Sequence, residues 1–182
     1  DHRDLHLSLR RQRQMCIRDR GIICPMINSR KEAEEFVGAT LYSPVGYRSS
    51  GPVRANIIYP DYHNQANDQI ISMAMIETEE AVTNAEEICA TPGLTGIYVG
   101  PSDLAISMGE GPGLDRKPGK VYDAIQHVLK MAKKAGIRAG LHCMDPNYIK
   151  EMYTSGFEFA SLSNDVRLLT QIVSSQINDV RS

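Results

Sequence analysis

From Gly21 onward, short apolar runs alternate with stretches of helical periodicity. The runs occupy 21–26, 70–76, 96–100, 137–142 and 157–162. Each is brief, mostly apolar and bounded by Gly, Pro or polar residues, the pattern of buried parallel strands. Helix starts lie between them. Ser29 and Thr78 are placed to cap, each followed by acidic residues in the first turn. Asp145-Pro146 offers a cap with proline at the first helical position. Over 120–134, Val121, Ile125, Val128 and Ala132 recur on one face, predicting an amphipathic helix laid against a sheet.

Five strands separated by helices predict repeated βαβ units and a parallel sheet. A doubly wound sheet would carry a Gly-rich phosphate turn after an early strand, and none is present. The G-E-G-P-G stretch at 109–113 is not followed by GK[ST] and reads as a plain loop. A (β/α)8 barrel needs eight strands and typically about 250 residues. The barrel reading therefore assigns this chain about five strands of eight. It also predicts an open, crescent-like sheet with exposed apolar edges.

Composition narrows the class. The chain has 182 residues, 42% of them hydrophobic, with Lys+Arg 20 against Asp+Glu 22 and a net charge of -2. No basic field points to nucleic acid, and no run reaches the roughly 18 apolar residues of a membrane span. Cys16, Cys24, Cys89 and Cys143 form no C-x-x-C pair. Reduced thiols and a cytoplasmic location are the expectation.

Residues 1–20 stand apart, with six Arg and three Asp, a local charge of +3. The run from Arg11 to Asp19 resembles a translated sequencing-library adaptor. The segment 1–20 is therefore expected to be non-native, with 21–182 forming the C-terminal part of a single barrel domain.

Two acids are conspicuous by position. Glu77 follows the run that ends Met75-Ile76, and Asp103 follows Tyr98-Val99-Gly100-Pro101-Ser102. Polar residues at strand C-termini face the functional end of a parallel α/β fold. Carboxylates on consecutive strands can converge on one hard divalent cation. Equally, Glu77 can cap its own helix and Asp103 can open the next. Spacing alone leaves both readings open.

The segment Met75-Ile76-Glu77-Thr78-Glu79-Glu80-Ala81, followed by Gly96-Ile97-Tyr98-Val99-Gly100-Pro101-Ser102-Asp103-Leu104, resembles the paired signature of the HpcH/HpaI aldolase/citrate lyase family. The likeness extends through Ile23-Cys24-Pro25-Met26, through Tyr42-Ser43-Pro44-Val45-Gly46-Tyr47-Arg48 and into Ala66-Asn67-Asp68-Gln69. The order and spacing of these short motifs together make it specific.

The resemblance implies a partial (β/α)8 TIM barrel of the phosphoenolpyruvate/pyruvate type. It implies that Glu77 and Asp103 bind a divalent ion (Mg²⁺ or Mn²⁺, with Co²⁺ as an alternative). Backbone N–H groups of Ser102 and Asp103 would hold a substrate carboxylate, as helix starts favour. The implied reaction is cleavage of a 2-oxo-4-hydroxy acid to pyruvate and an aldehyde, the ion acting as Lewis acid. A homo-oligomer is implied for the full-length protein. Citrate-lyase-like or malyl-thioester cleavage, or metal binding without catalysis, are the alternatives. A thioester substrate would call for a basic groove, and no such cluster is visible.

The chain departs from the family pattern in two respects. Met75 stands where the family usually has a substrate-contacting Gln, and it cannot donate a strong hydrogen bond. The family's general-base His and enolate-binding Arg belong to strands upstream of Gly21, and nothing in 21–182 matches them. The expectation is half an active site, with no catalytic residue in this chain and no aldolase turnover. Among the remaining residues, Arg48 reads as a loop-ordering element. His142 reads as a polar residue finishing a strand, with a place facing the site, or a role as base, as its alternative. His63 and Asp61 read as solvated loop residues. Cys143 points away from His142, because adjacent strand residues face opposite sides.

Overall fold

A computed structural model describes residues 20–50 and 53–181; the segment 1–19, which carries the whole adaptor-like run, lies outside them. Five strands form one parallel sheet in chain order: β1 (Gly21–Cys24), β2 (Ile71–Ile76), β3 (Gly96–Val99), β4 (Arg138–Cys143) and β5 (Phe159–Leu162). The register runs Ile23↔Met73, Met75↔Tyr98, Tyr98↔Gly140 and His142↔Ser161. Helices connect every strand to the next, giving the half-barrel that the pattern predicts.

The two faces of the sheet differ. Ile22, Cys24, Ala74, Ile76, Ile97, Val99, Ala139, Leu141 and Cys143 join one continuous core with the helices. The alternate residues, among them Ile23, Met75, Tyr98 and His142, face what would be the barrel interior. This split explains why the strands read as mostly apolar. The outer face needs hydrophobes against helices, and the inner face supplies Met and Tyr as well as functional groups.

The predicted helix starts are realised. Helix α1 (Arg30–Thr40) opens on a capping box in which Glu32 N–H donates to Ser29 Oγ while the Glu32 carboxylate accepts from Ser29 N–H. Two helices not evident from the pattern follow, α2 (Val53–Ile58) and α3 (Tyr62–Gln69). Asp61 and His63 therefore flank and begin a helix, not a loop, though both are exposed. Asp61 accepts from Asn64 Nδ2 (2.7 Å) and Gln65 Nε2 (2.9 Å). Short helices α4 (Glu79–Thr83), α5 (Ala85–Cys89) and α6 (Pro101–Ser107) lead to α7 (Lys120–Ala135), whose Val121, Ile125, Val128 and Ala132 are buried as their spacing predicts. Helix α8 (Pro146–Ser155) starts on Asp145, whose carboxylate accepts from Asn147 N–H.

The last helix, α9 (Asp165–Arg181), buries none of its residues and exposes Val166, Leu169, Ile172 and Val173. Ile23 on β1 and Phe159 and Leu162 on β5, the two edge strands, are exposed too, as is Ile71 at the start of β2. These are the apolar edges expected of an incomplete barrel. No helix among the described residues is long and apolar enough to cross a membrane.

Candidate metal and substrate site at the strand C-termini

The C-terminal ends of β2, β3 and β4 open into a cleft of about 570 Å³. Met75, Glu77, Ser102 and Asp103, all singled out in the sequence, line it together.

Glu77 does not cap α4. Thr78 does, its hydroxyl oxygen accepting from Ala81 N–H at 3.0 Å while its proton goes to Asn28 Oδ1. This frees the Glu77 carboxylate to turn inward, where it is buried and Oε1 accepts from Met26 N–H at 2.8 Å. Met26 lies in the left-handed region at φ 56°, a conformation costly for a side chain with a Cβ. That turn aims its N–H at the carboxylate. Burial pushes the Glu77 carboxyl above its usual range; the Met26 N–H pulls it down, and the Asp103 charge pushes it up again. Asp103 thus lies within electrostatic range of Glu77.

Asp103 stands in the first turn of α6 and on the cleft wall. The first bond of α6 runs from Leu104 N–H to Gly100 O (3.0 Å). The N–H groups of Ser102 and Asp103 are therefore outside the helix ladder. Ser102 Oγ accepts from Gly113 N–H at 3.2 Å.

Gly100 leaves room between the strands: a Cβ there would stand 2.6 Å from Glu77 Oε2. The buried Glu77 carboxylate and the exposed Asp103 carboxylate, with a side-chain-free space beside Glu77, are a donor set suited to a hard divalent cation. Among the described residues no group of three or more His, Cys, Asp or Glu converges. Any ion here would have only two protein carboxylates and would complete its shell with water or ligand oxygens.

Three further features complete the cleft. The 109–113 loop is a wall of the cleft, through Pro112, Gly113 and Leu114. Arg116 holds it, donating from Nε to Gly113 O (3.1 Å) and from a terminal nitrogen to Gly111 O (2.5 Å). Asp115 ties it to the end of β4, accepting from Met144 N–H (2.9 Å) and Asp145 N–H (2.8 Å). Second, His142 lines the cleft, so the reading of it as a mere strand terminus is corrected. Its Nδ1 lies 2.9 Å from Ser161 Oγ and 3.3 Å from the Tyr98 hydroxyl, which also bonds Ser161. Inward alternation along β4 carried that signal, since His142 is two residues from inward-facing Gly140. Third, Asn164 and Arg167 reach the rim from the start of α9.

Arg48 lies away from the cleft. It is buried, stacked 4.6 Å over the Tyr42 ring, and donates to the Tyr62 hydroxyl at 2.9 Å. Cys143 is buried on the helix side, opposite His142.

The sequence model of the HpcH/HpaI aldolase/citrate lyase family matches residues 12–171. The chain belongs to that family. It is 38% identical over 163 residues to a hydroxypyruvate/pyruvate aldolase of Rhizorhabdus wittichii, covering 89% of this chain and 65% of that protein. It is 32% identical over 154 residues to a 4-hydroxy-2-oxo-heptane-1,7-dioate aldolase of Klebsiella pneumoniae, covering 82% of this chain and 57% of that one. The chain thus spans less than two thirds of the length of these relatives. A family protein from Burkholderia cenocepacia superposes with a TM-score of 0.86 at 31% identity, over 96% of this chain and 70% of the other.

Proposed function

We propose that the chain supplies the metal-holding half of a divalent-cation-dependent carbon–carbon lyase that cleaves 2-oxo-4-hydroxy acids to pyruvate, or a close relative of it, and an aldehyde. The observation that carries this reading is the convergence of Glu77 and Asp103 on one cleft, with Gly100 keeping the space beside Glu77 clear. The aldolase names of the relatives support it.

Glu77 and Asp103 would hold the cation, and Mg²⁺ or Mn²⁺ suits their hard oxygens, with Co²⁺ a further candidate. When bound, the cation supplies Lewis-acid stabilisation of the charge that develops on the keto oxygen during cleavage. The N–H groups of Ser102 and Asp103 bind the substrate carboxylate and fix its orientation. Met75 offers an apolar wall where an amide would have bonded the substrate. The 109–116 loop closes one side against water. A base must take the proton of the C4 hydroxyl and a cation must face the developing enolate. Nothing in 21–182 matches the family's residues for these two tasks, so the polypeptide binds cation and 2-oxo acid without turning over. A homo-oligomeric, cytoplasmic full-length enzyme belongs to the same proposal.

Arg167 is the only Lys or Arg among the described residues that line the cleft, which offers little to the phosphates of a thioester substrate. The test is to incubate the chain with a 2-oxo-4-hydroxy acid and Mg²⁺ and follow pyruvate by a coupled assay, alongside cation binding. Cation binding without pyruvate release is expected. Robust metal-dependent release by 21–182 would contradict the half-site reading, and absence of cation binding would contradict the lyase reading itself.

A further inference from the structure

We infer that His142 is a specificity-determining residue, whose Nε2 recognises a hydroxyl group on the carbon adjacent to the reacting carbonyl of a bound ligand. This rests on the lyase reading above.

Tyr98 pairs with Gly140 and Met75 with Tyr98. Continuing that register by two residues places Glu77, Gly100 and His142 in one inward layer, completed by Ser161, the partner of His142. Gly100 contributes no side chain to this layer. The space between Glu77 and His142 is therefore open, and a small ligand oriented by a cation at Glu77 and Asp103 would lie across it. Glu77, Gly100 and His142 line the same cleft.

The imidazole is held from behind. Ser161 Oγ lies 2.9 Å and the Tyr98 hydroxyl 3.3 Å from Nδ1, and these two hydroxyls bond each other. One ring nitrogen is thus committed to the protein, and no described group engages Nε2. If Ser161 donates to Nδ1, Nε2 carries the proton and donates; if Nδ1 donates to Ser161, Nε2 accepts. A hydroxyl is the ligand group that serves either case, because it both donates and accepts. Gly140 in the layer below makes room for the Tyr98 ring, since a Cβ there would stand 3.2 Å from Tyr98 Cδ2 and 2.8 Å from Phe159 Cδ1. The Tyr98 ring passes through that gap to bring its hydroxyl up to His142.

The hydroxyl can belong to C3 of the 2-oxo acid or to the α-carbon of the aldehyde, and the test separates them. With saturating Mg²⁺, calorimetry compares pyruvate with hydroxypyruvate on the chain. A second arm compares acetaldehyde with glycolaldehyde at saturating pyruvate. The expected result is a preference for the hydroxylated member of at least one pair of about tenfold, the worth of one good hydrogen bond. H142F should abolish it and H142Q, which keeps a polar group at the same reach, should retain part of it. The ring signals of His142 in NMR should shift with the preferred ligand only. Equal affinities within both pairs, or a preference unchanged in a folded H142F, would overturn the inference while leaving the lyase reading intact. If neither 2-oxo acid binds the Mg²⁺-loaded chain, both readings are overturned.

Discussion

Glu77 Oε2 lies so near Gly100 that a Cβ on the glycine would stand 2.6 Å from it. The backbone of Gly100 is at φ -100°, which alanine adopts without strain. G100A is therefore a steric probe of the carboxylate alone. The side chain of Glu77 must shift, at an overpacking cost of about 1–3 kcal/mol. Misplacing one of two carboxylates should weaken Mn²⁺ binding about 10–100-fold. Titration of the folded variant with Mn²⁺, followed by water-proton relaxation, checks this.

Asp115 should be worth more to stability than its position in a loop implies. Its carboxylate accepts two backbone N–H bonds from 144–145, yet its φ of 52° is one that alanine resists. D115G keeps the conformation and loses both bonds, at an expected cost of about 1–3 kcal/mol. D115A loses both and adds about 1 kcal/mol of backbone strain. Urea midpoints should rank wild type above D115G above D115A.

Replacing Arg48 by Lys should destabilise the 41–50 loop. Arg48 lies over Tyr42 and Tyr62 at 4.6 and 5.5 Å and donates to the Tyr62 hydroxyl. A lysine keeps the charge but not the planar stack. The expected loss is about 2 kcal/mol, with cation binding at the cleft unchanged. Thermal denaturation and Mn²⁺ titration on R48K measure the two separately.

Burial pushes the Cys89 and Cys143 thiols up to about 12 from an ordinary value near 9. Both thiols are neutral when folded and ionise more readily when unfolded. Their contribution to stability is thus fully present below about pH 8.5 and is lost as pH rises toward about 12. Denaturant midpoints should be flat from neutral pH to about 8.5 and fall beyond it, less steeply in C89A/C143A. At pH 8 neither thiol should react with a thiol reagent until the protein unfolds.

The strands and α7 were legible because burial between two layers writes itself as mostly apolar runs and a 3.6-residue stripe. Helices α2 and α3 were not, since Tyr62–Gln69 is mostly polar and leans on only Tyr62 and Ala66 for its buried contacts. Glu77 and Asp103 stood out because they follow strands directly. His142 was legible only as a strand-end residue that could face the site, because a histidine there carries no local sign of what its ring touches. Ser161 and Tyr98 are 19 and 44 residues away, and only the parallel register brings them together. The 109–113 stretch was read as a loop, but its place in the cleft wall was not legible, for a similar reason. Its order comes from Arg116 and Asp115 reaching across to distant backbone groups, and no periodicity records that.

The most direct test is the stoichiometry of Mn²⁺ binding to the chain, measured by electron paramagnetic resonance for wild type, E77Q and D103N. One ion per chain in the wild type, lost or weakened by at least about tenfold in each variant, is the predicted result. Wild-type protein that binds no Mn²⁺, or binding that persists undiminished in both variants, would contradict a metal site built from Glu77 and Asp103.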